Sequence, residues 1–163
     1  MTKIGVISDT HGFLSPKVLD FFKNCDEIWH AGDIGSIKIF DDLENLKPLR
    51  AVYGNIDGTE IRTVCPKHNR FKCEDLNVWI THIGGYPGKY DYTIRAEIYK
   101  NPPNIFVCGH SHILKVINDP KINCLHINPG AAGNSGFHKV KTAIRFEIDK
   151  KDIKNMEILE MKR

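Results

Sequence analysis

No stretch of this 163-residue chain approaches the roughly 18 to 20 uncharged apolar residues of a membrane-spanning helix. The opening Met1-Thr2-Lys3-Ile4-Gly5 carries no apolar signal core, so the expected compartment is the cytoplasm, with no membrane partner. No run of five like charges occurs, and 23 basic against 20 acidic residues leave a net charge of only +3. That balance argues against a nucleic-acid partner, which needs a clustered basic face. Five cysteines, an odd number without any C-x-x-C pair, exclude a paired disulfide framework and a zinc ribbon. Apolar residues at 41% and charged ones at 26% exclude disorder and low-complexity sequence, and the length suits one domain spanning residues 1–163.

What is present is an alternation of short Ile/Val-rich runs with segments of helical period. Ile4 to Ile7, Glu27 to His30 and Leu49 to Tyr53 read as strands; a helix begins at Ser15-Pro16 and another covers Ile37 to Leu46. That alternation implies a parallel sheet covered on both faces, hence an α/β class. Arg70 to Cys73 and Asn77 to Thr81 flank Glu74-Asp75-Leu76 as a hairpin, Asp91 to Lys100 reads as a helix, and Asn104 to Val107 as a strand. From residue 113 the pattern is mostly β: Leu114 to Asn118, Cys124 to Ile127, Lys141 to Ile148 and Ile153 to Met161, the last two joined at Asp149-Lys150-Lys151-Asp152.

Five apolar runs each lead directly into residues able to bind metal. Asp9 and His11 follow the first, Gly32-Asp33 the second and Gly54-Asn55 the third; His82 follows Val78 to Thr81, and Gly109-His110-Ser111-His112 follows Ile105 to Cys108. In open α/β sheets, ligands bind beyond the carboxyl ends of strands, so these positions converge on one crevice. Two Asp, one Asn and four His offer oxygen and imidazole donors without thiolate, suited to Mn, Fe or Zn. Seven donors are too many for one catalytic ion with open positions; they suit two ions about 3.5 to 4 Å apart sharing a carboxylate. Gly32, Gly54 and Gly109 are expected to let the chain turn tightly before each ligand.

In combination these motifs resemble the calcineurin-like metallophosphoesterases, specifically their small single-domain phosphodiesterase branch. The resemblance rests on Asp9-Thr10-His11, Gly32-Asp33, Gly54-Asn55 with Asp57, His82, Gly109-His110-Ser111-His112 and Asn128-Pro129-Gly130. It implies a four-layer α/β/β/α sandwich with two central mixed β-sheets. It also implies two divalent ions, Mn2+ first and Ni2+, Fe or Zn2+ as alternatives. Asp9, His11 and His112 would hold the first ion, Asp33 would bridge, and Asn55, His82 and His110 would hold the second. The implied reaction is in-line attack of a metal-bound hydroxide on a small phosphodiester, with Asp33, Asn55, His82 and Asp57 as the catalytic set. Asp57 is expected to orient a ligand imidazole or else to form a turn.

Members of that family often carry His after the Asn ligand, where it assists the leaving group or binds phosphate. Here Ile56 stands there, which favours diesters over monoesters. Ile56, Tyr86 and Asn128 are the candidate substrate contacts. Tyr86 belongs to a Gly84–Asp91 segment read as a mobile loop, whose Lys89 and Tyr90, with Arg95 beyond it, are further candidates. His30, His68, His126 and His138 are expected to lie outside the reaction centre, and Trp29 and Trp79 in the core. Two rival readings remain: a non-catalytic protein-binding scaffold of the same fold, resembling a eukaryotic retromer subunit, and a hydrolase of small nucleotides or nucleic acid. A homo-oligomer is a further expectation, since many small members associate.

Overall fold

Strand β1 (Thr2–Ile7) is built on a period of two, and each of its faces meets a different partner. Ile4 and Val6 point into one apolar cluster with Trp29, Val78, Ile80, Ile105, Val107 and Phe146, whereas Ile7 points into another with Val18, Phe22, Phe40 and Leu43. The first cluster lies between two sheets and the second between a sheet and helices. This double burial explains why β1 reads as a continuous apolar run.

The computed structural model describes all 163 residues. After β1 come α1 (Pro16–Phe22), β2 (Glu27–His30), α2 (Ile37–Leu46), β3 (Leu49–Ala51) and α3 (Thr59–Val64). They are followed by β4 (His68–Cys73), β5 (Leu76–Thr81), β6 (Gly85–Tyr86), β7 (Lys89–Tyr90), α4 (Arg95–Lys100) and β8 (Ile105–Val107). The chain ends with β9 (Leu114–Asp119), β10 (Cys124–Pro129), β11 (Val140–Asp149) and β12 (Asp152–Lys162). One five-stranded sheet runs β12-β11-β1-β2-β3 and the other β4-β5-β8-β10-β9. In each, three strands are parallel: β1, β2 and β3 in one, β5, β8 and β10 in the other; the remaining neighbours pair antiparallel. Both sheets are therefore mixed, as the resemblance implies, and the three strands of the first half run parallel, as their alternation with helices implies. The first sheet becomes mixed through β11, which returns from the C-terminal third to pair antiparallel with β1 (Thr2 opposite Ile148).

Helices close both outer faces. Those of the first sheet pack through Val18, Phe22, Ile39, Phe40, Leu43 and Ile61. On the second, Ile94 and Ile98 pack on Trp79, Phe106 and Tyr90, giving the four layers α/β/β/α. Ser15 caps α1 by accepting from the Lys17 amide, with Pro16 in the first turn, and Ser36 caps α2 through the Ile39 amide. No helix is long and apolar enough to cross a membrane.

Four local readings change. Leu49 to Tyr53 stays extended, but the ladder ends at Ala51, after which Tyr53 donates its amide to the Pro66 carbonyl instead. Helix α3 was not foreseen, and α4 begins four residues late because Asp91 first forms a turn, accepting the Ile94 and Arg95 amides on its carbonyl. The Gly84–Asp91 segment, read as a loop, contains a two-stranded ribbon. Tyr90 is buried, and its hydroxyl donates to Asp119 at 2.7 Å.

Candidate metal centre

The carboxyl ends of β1, β2, β5 and β8 lie at one edge of the sandwich and carry their polar residues into a common cleft. Hydrogen bonds across the sheets fix that convergence: the His110 amide donates to Asp9 Oδ2 (3.1 Å) and the Gly109 amide to the His82 carbonyl (2.9 Å). Two clusters form, Asp9 with His11 and His112, and Asp33 with His82 and His110, the donor atoms in each lying within 4.8 Å of one another. Asp33 Oδ2 sits between them, 3.4 Å from His11 Nε2 and 3.2 Å from His82 Nε2. Asp9 Oδ1 is 3.2 Å from His112 Nε2 and 3.9 Å from His82 Nε2.

Each carboxylate divides its oxygens between two tasks. Asp9 Oδ2 accepts from the Ser8 hydroxyl (2.7 Å) and the His110 amide, while Oδ1 faces only imidazoles. Asp33 Oδ1 accepts from the Ile56 amide (3.1 Å), leaving Oδ2 for the cleft. His82 Nδ1 donates to the Ala31 carbonyl (2.7 Å), which places its lone pair on Nε2. Asp9 Oδ1, His11 Nε2 and His82 Nε2 are consequently buried without any hydrogen-bond partner. Buried polar atoms are rarely left unsatisfied in a native fold. Three of them aimed into one cleft, all of types that ligate divalent ions, fit a metal centre.

The backbone is bent toward the same end. Asp9, His11, Asp33, His110 and His112 all have left-handed φ, between 46° and 71°. For residues with a side chain this costs of order 1 kcal/mol each. Strain concentrated on five candidate ligands, with the other positive-φ residues scattered singly, marks the cleft as functionally constrained. It also changes the reason for the preceding glycines. Gly54 and Gly109 do not adopt a left-handed conformation; they are required by close approach. A Cβ on Gly54 would overlap the Asp33 carboxylate, and one on Gly109 would overlap the Ser8 hydroxyl.

Electrostatics follow the geometry. Burial by itself would raise the Asp9 carboxyl, but the imidazoles of His11, His112 and His82 and the Ser8 hydroxyl hold it well below the usual carboxylate range. Asp33 is likewise held down, its burial outweighed by His82 and the Ile56 amide. The His11 imidazole is raised chiefly by Asp9, and that of His82 is raised by Asp33 and Asp9 against its own burial.

The remaining expected residues fall into two groups. Asn55 lies exposed at the cleft mouth beside His82, with a side chain that forms no hydrogen bond; Ile56 next to it is 48% exposed. Tyr86 lines a cavity of about 210 Å3 on the other side of His110, together with Ser111, Lys115 and His126, and the Lys115 ammonium lies 4.2 Å over its ring. Asp57 takes the second of its two expected roles, forming a turn, while Asn128 is held by neighbouring backbone. Asp57 contacts no imidazole: its carboxylate accepts from the amides of Gly54 (2.8 Å), Gly35 (2.9 Å) and Ile34 (3.1 Å), tying the Asp33 turn to the Asn55 turn. Asn128 is buried, donates to the Gly109 carbonyl and the Ser111 hydroxyl, and accepts from the Gly130 amide. Its amide shapes the turn that carries His110, and the residue also lines the cavity beside Tyr86. Tyr90 and Arg95 also leave the cleft, since Arg95 donates to the Tyr90 carbonyl.

Some participants carried little sequence signal. Ser8 was visible only as the neighbour of Asp9. Arg62, on the unforeseen α3, approaches the cleft from the Asn55 side. His138, taken as a bystander, packs edge-on against His112, with ring centroids 5.2 Å apart.

His30 is buried directly behind the centre. Its Nδ1 accepts the Gly32 amide (3.1 Å), so its proton sits on Nε2 and points to Thr10 Oγ1 (3.0 Å), which itself donates to the Ile34 carbonyl. Burial pushes the imidazole down to about 4, against 6.5 for an exposed one. The unfolded chain then binds more protons than the folded one between those values. Stability contributed by neutral His30 is full above pH 6.5 and is lost as pH falls toward 4, by about 3 kcal/mol in all. In urea titrations of metal-free protein between pH 7 and 4, the wild type should therefore lose about 3 kcal/mol more than His30→Asn. Parallel pH curves for the two proteins would show that His30 does not titrate in this way.

With this geometry established, comparison with known proteins gives a consistent result. Residues 2–151 match the family model of the calcineurin-like phosphoesterase superfamily domain. A curated protein of Methanothermobacter thermautotrophicus, named a probable metallophosphoesterase, is 31% identical over 138 residues, covering 78% of this chain and 76% of its own. Among solved structures, one reported as a novel archaeal phosphodiesterase superposes with a TM-score of 0.76 at 25% identity, over 96% of this chain and 99% of that one. Vps29 of Chaetomium thermophilum superposes with a TM-score of 0.77 over 99% of this chain and 97% of its own; at 16% identity it shows the shared fold alone.

Proposed function

Since the chain belongs to the calcineurin-like phosphoesterase superfamily, we propose that it is a two-metal phosphodiesterase acting on small diesters in the cytoplasm. The observation that carries the reading is the position of Asp33 Oδ2 between two ligand clusters in which Asp9 Oδ1, His11 Nε2 and His82 Nε2 are buried and unsatisfied. Asp9, His11 and His112 would hold one ion, Asn55, His82 and His110 the other, and Asp33 both, with Mn2+ the first candidate. Such a pair supplies a nucleophile at neutral pH and neutralises charge growing on the phosphoryl oxygens.

The chain's own residues do the positioning. The Ala31 carbonyl keeps the His82 proton on Nδ1, so Nε2 presents a lone pair to the cleft. Ser8 and the His110 amide hold Asp9, and the Ile56 amide holds Asp33, so that neither carboxylate rotates away. Asp57 fixes the two turns against each other from behind, and Asn128 does the same for the Gly109–Ser111 turn. Exposed Tyr86 with Lys115 offers an aromatic and cationic surface to one ester arm. The five cysteines, all unpaired and buried, support a reducing compartment.

Protein stripped with chelator and refilled with Mn, Ni, Zn or Mg should hydrolyse bis(p-nitrophenyl) phosphate at least about tenfold faster than p-nitrophenyl phosphate, and not without metal. Equal rates on both esters would remove the diester preference. No turnover with any metal, in folded protein, would favour the scaffold reading that the Vps29 likeness keeps open.

A further inference from the structure

Beyond Asn55 and His82 the cleft widens into a cavity of about 300 Å3 whose wall includes Tyr53, Arg62, Lys67, His68 and Tyr92, but none of Asp9, His11 or His112. Arg62 is held rigidly there. Its guanidinium lies 4.4 Å over the Tyr53 ring, Nε donates to the Asp57 carbonyl at 2.6 Å, and a terminal nitrogen reaches the Asn55 carbonyl at 3.5 Å. The turn that carries Asn55 and the clamp residue Asp57 thus also fixes this cation.

Its charge is uncommitted. Arg50, Arg70 and Arg145 face Glu27, Glu97 and Glu157, whereas Arg62 and Lys67, like Arg95 and Arg163, form no ion pair, and of these only Arg62 and Lys67 line the cavity. The one carboxylate in the cavity wall, Asp91, already accepts from the amide and the hydroxyl of Thr93. His68 adds a polar edge, its imidazole pushed below the ordinary value by burial, Lys67 and Arg70. A guanidinium immobilised by stacking loses little further freedom on binding an oxyanion, and its free N–H groups suit a forked contact.

We propose that this cavity is a subsite for an ester arm bearing a second anionic group, a phosphate or a carboxylate, so that the natural diester is a polyanion. The inference rests on the phosphodiesterase reading and narrows its substrate class. A scissile diester carries one negative charge, which the metal centre accounts for; the cations beyond Asn55 suit a second. Arg62 and Lys67 would receive it, with Tyr53 and Tyr92 flanking the arm.

The test compares p-nitrophenyl phenyl phosphate with its 4-carboxyphenyl and 4-phosphonophenyl counterparts on Mn-loaded wild type, Arg62→Lys and Lys67→Met. In the wild type, KM for at least one diester with an anionic arm should be about tenfold lower than for the one whose arm is uncharged, and the preferred anion distinguishes phosphate from carboxylate. The ratio of the two KM values, taken within each protein, should fall below about threefold in Lys67→Met and shrink in Arg62→Lys, which keeps charge but loses the fork. Raising salt from 0.05 to 0.5 M should compress the wild-type ratio as well. Equal KM values in the wild type, or a ratio untouched by both substitutions, would overturn the subsite. Absence of turnover on every diester would instead sink the phosphodiesterase reading. In that case calorimetric binding of 4-carboxyphenyl phosphate against phenyl phosphate to metal-loaded protein still decides the subsite, equal affinities rejecting it.

Discussion

Asp33→Asn should reduce diester turnover by about a thousandfold while leaving the fold in place. Asn accepts the left-handed φ of 55° at this position as readily as Asp, and its amide oxygen can still take the Ile56 hydrogen bond. What changes is the atom facing the cleft. An NH2 group would replace Oδ2, the oxygen now 3.4 Å from His11 Nε2 and 3.2 Å from His82 Nε2. That group has no lone pair for a cation and removes one unit of negative charge between two of them. Metal content should fall from about two ions per chain toward one or none, measured by elemental analysis after desalting. Thermal unfolding of the metal-free variant should match metal-free wild type within a few degrees. Wild-type turnover with two retained ions would refute the bridging role of Asp33.

The same local reasoning shows which parts of the molecule were readable in advance. Asp9, His11, Asp33, His82, His110 and His112 stood out because each directly follows an apolar strand, and parallel strands deliver their carboxyl ends to one edge. Asp57 and Asn128 lie in the same motifs and looked equivalent. Their roles depend on which lone pairs the backbone has already claimed, and that is set by turns more than twenty residues away in the one case and nearly twenty in the other. Ribbon β6–β7 was hidden for a related reason. Gly and Pro suggest a loop, while the burial of Tyr90 and its bond to Asp119, 29 residues on, give the segment its order. Helix α3 has only six residues, two of them Thr and one Val, too weak a pattern to register by propensity. Its Arg62 nonetheless brings an unpaired cation to the cleft. The antiparallel return of β11 onto β1 was equally invisible, since nothing local in either strand specifies a partner some 140 residues away.

Ile56→His should shift the enzyme toward monoesters, raising the ratio of monoester to diester turnover by about tenfold or more. The site tolerates the change: Ile56 is 48% exposed, and its structural contribution is the backbone amide given to Asp33 Oδ1, which any residue but proline retains. A substitution so exposed should alter stability by no more than about 0.5 kcal/mol. Cleavage of a monoester expels its alcohol from a group already carrying up to two charges, and an unactivated leaving group needs a proton as it departs. Isoleucine supplies none, whereas an imidazole beside Asn55 can donate one near neutral pH. The gain should therefore be larger for phenyl phosphate than for p-nitrophenyl phosphate, whose leaving group departs readily unprotonated. It should also decline as pH rises through the imidazole's own titration, near 6.5 for an exposed histidine. Two controls separate this from a disturbed centre: metal content equal to wild type, and bis(p-nitrophenyl) phosphate turnover within about threefold of it. With both satisfied, an unchanged ester ratio would remove leaving-group assistance from this position and leave the diester preference to the shape of the cleft between Tyr86 and Arg62.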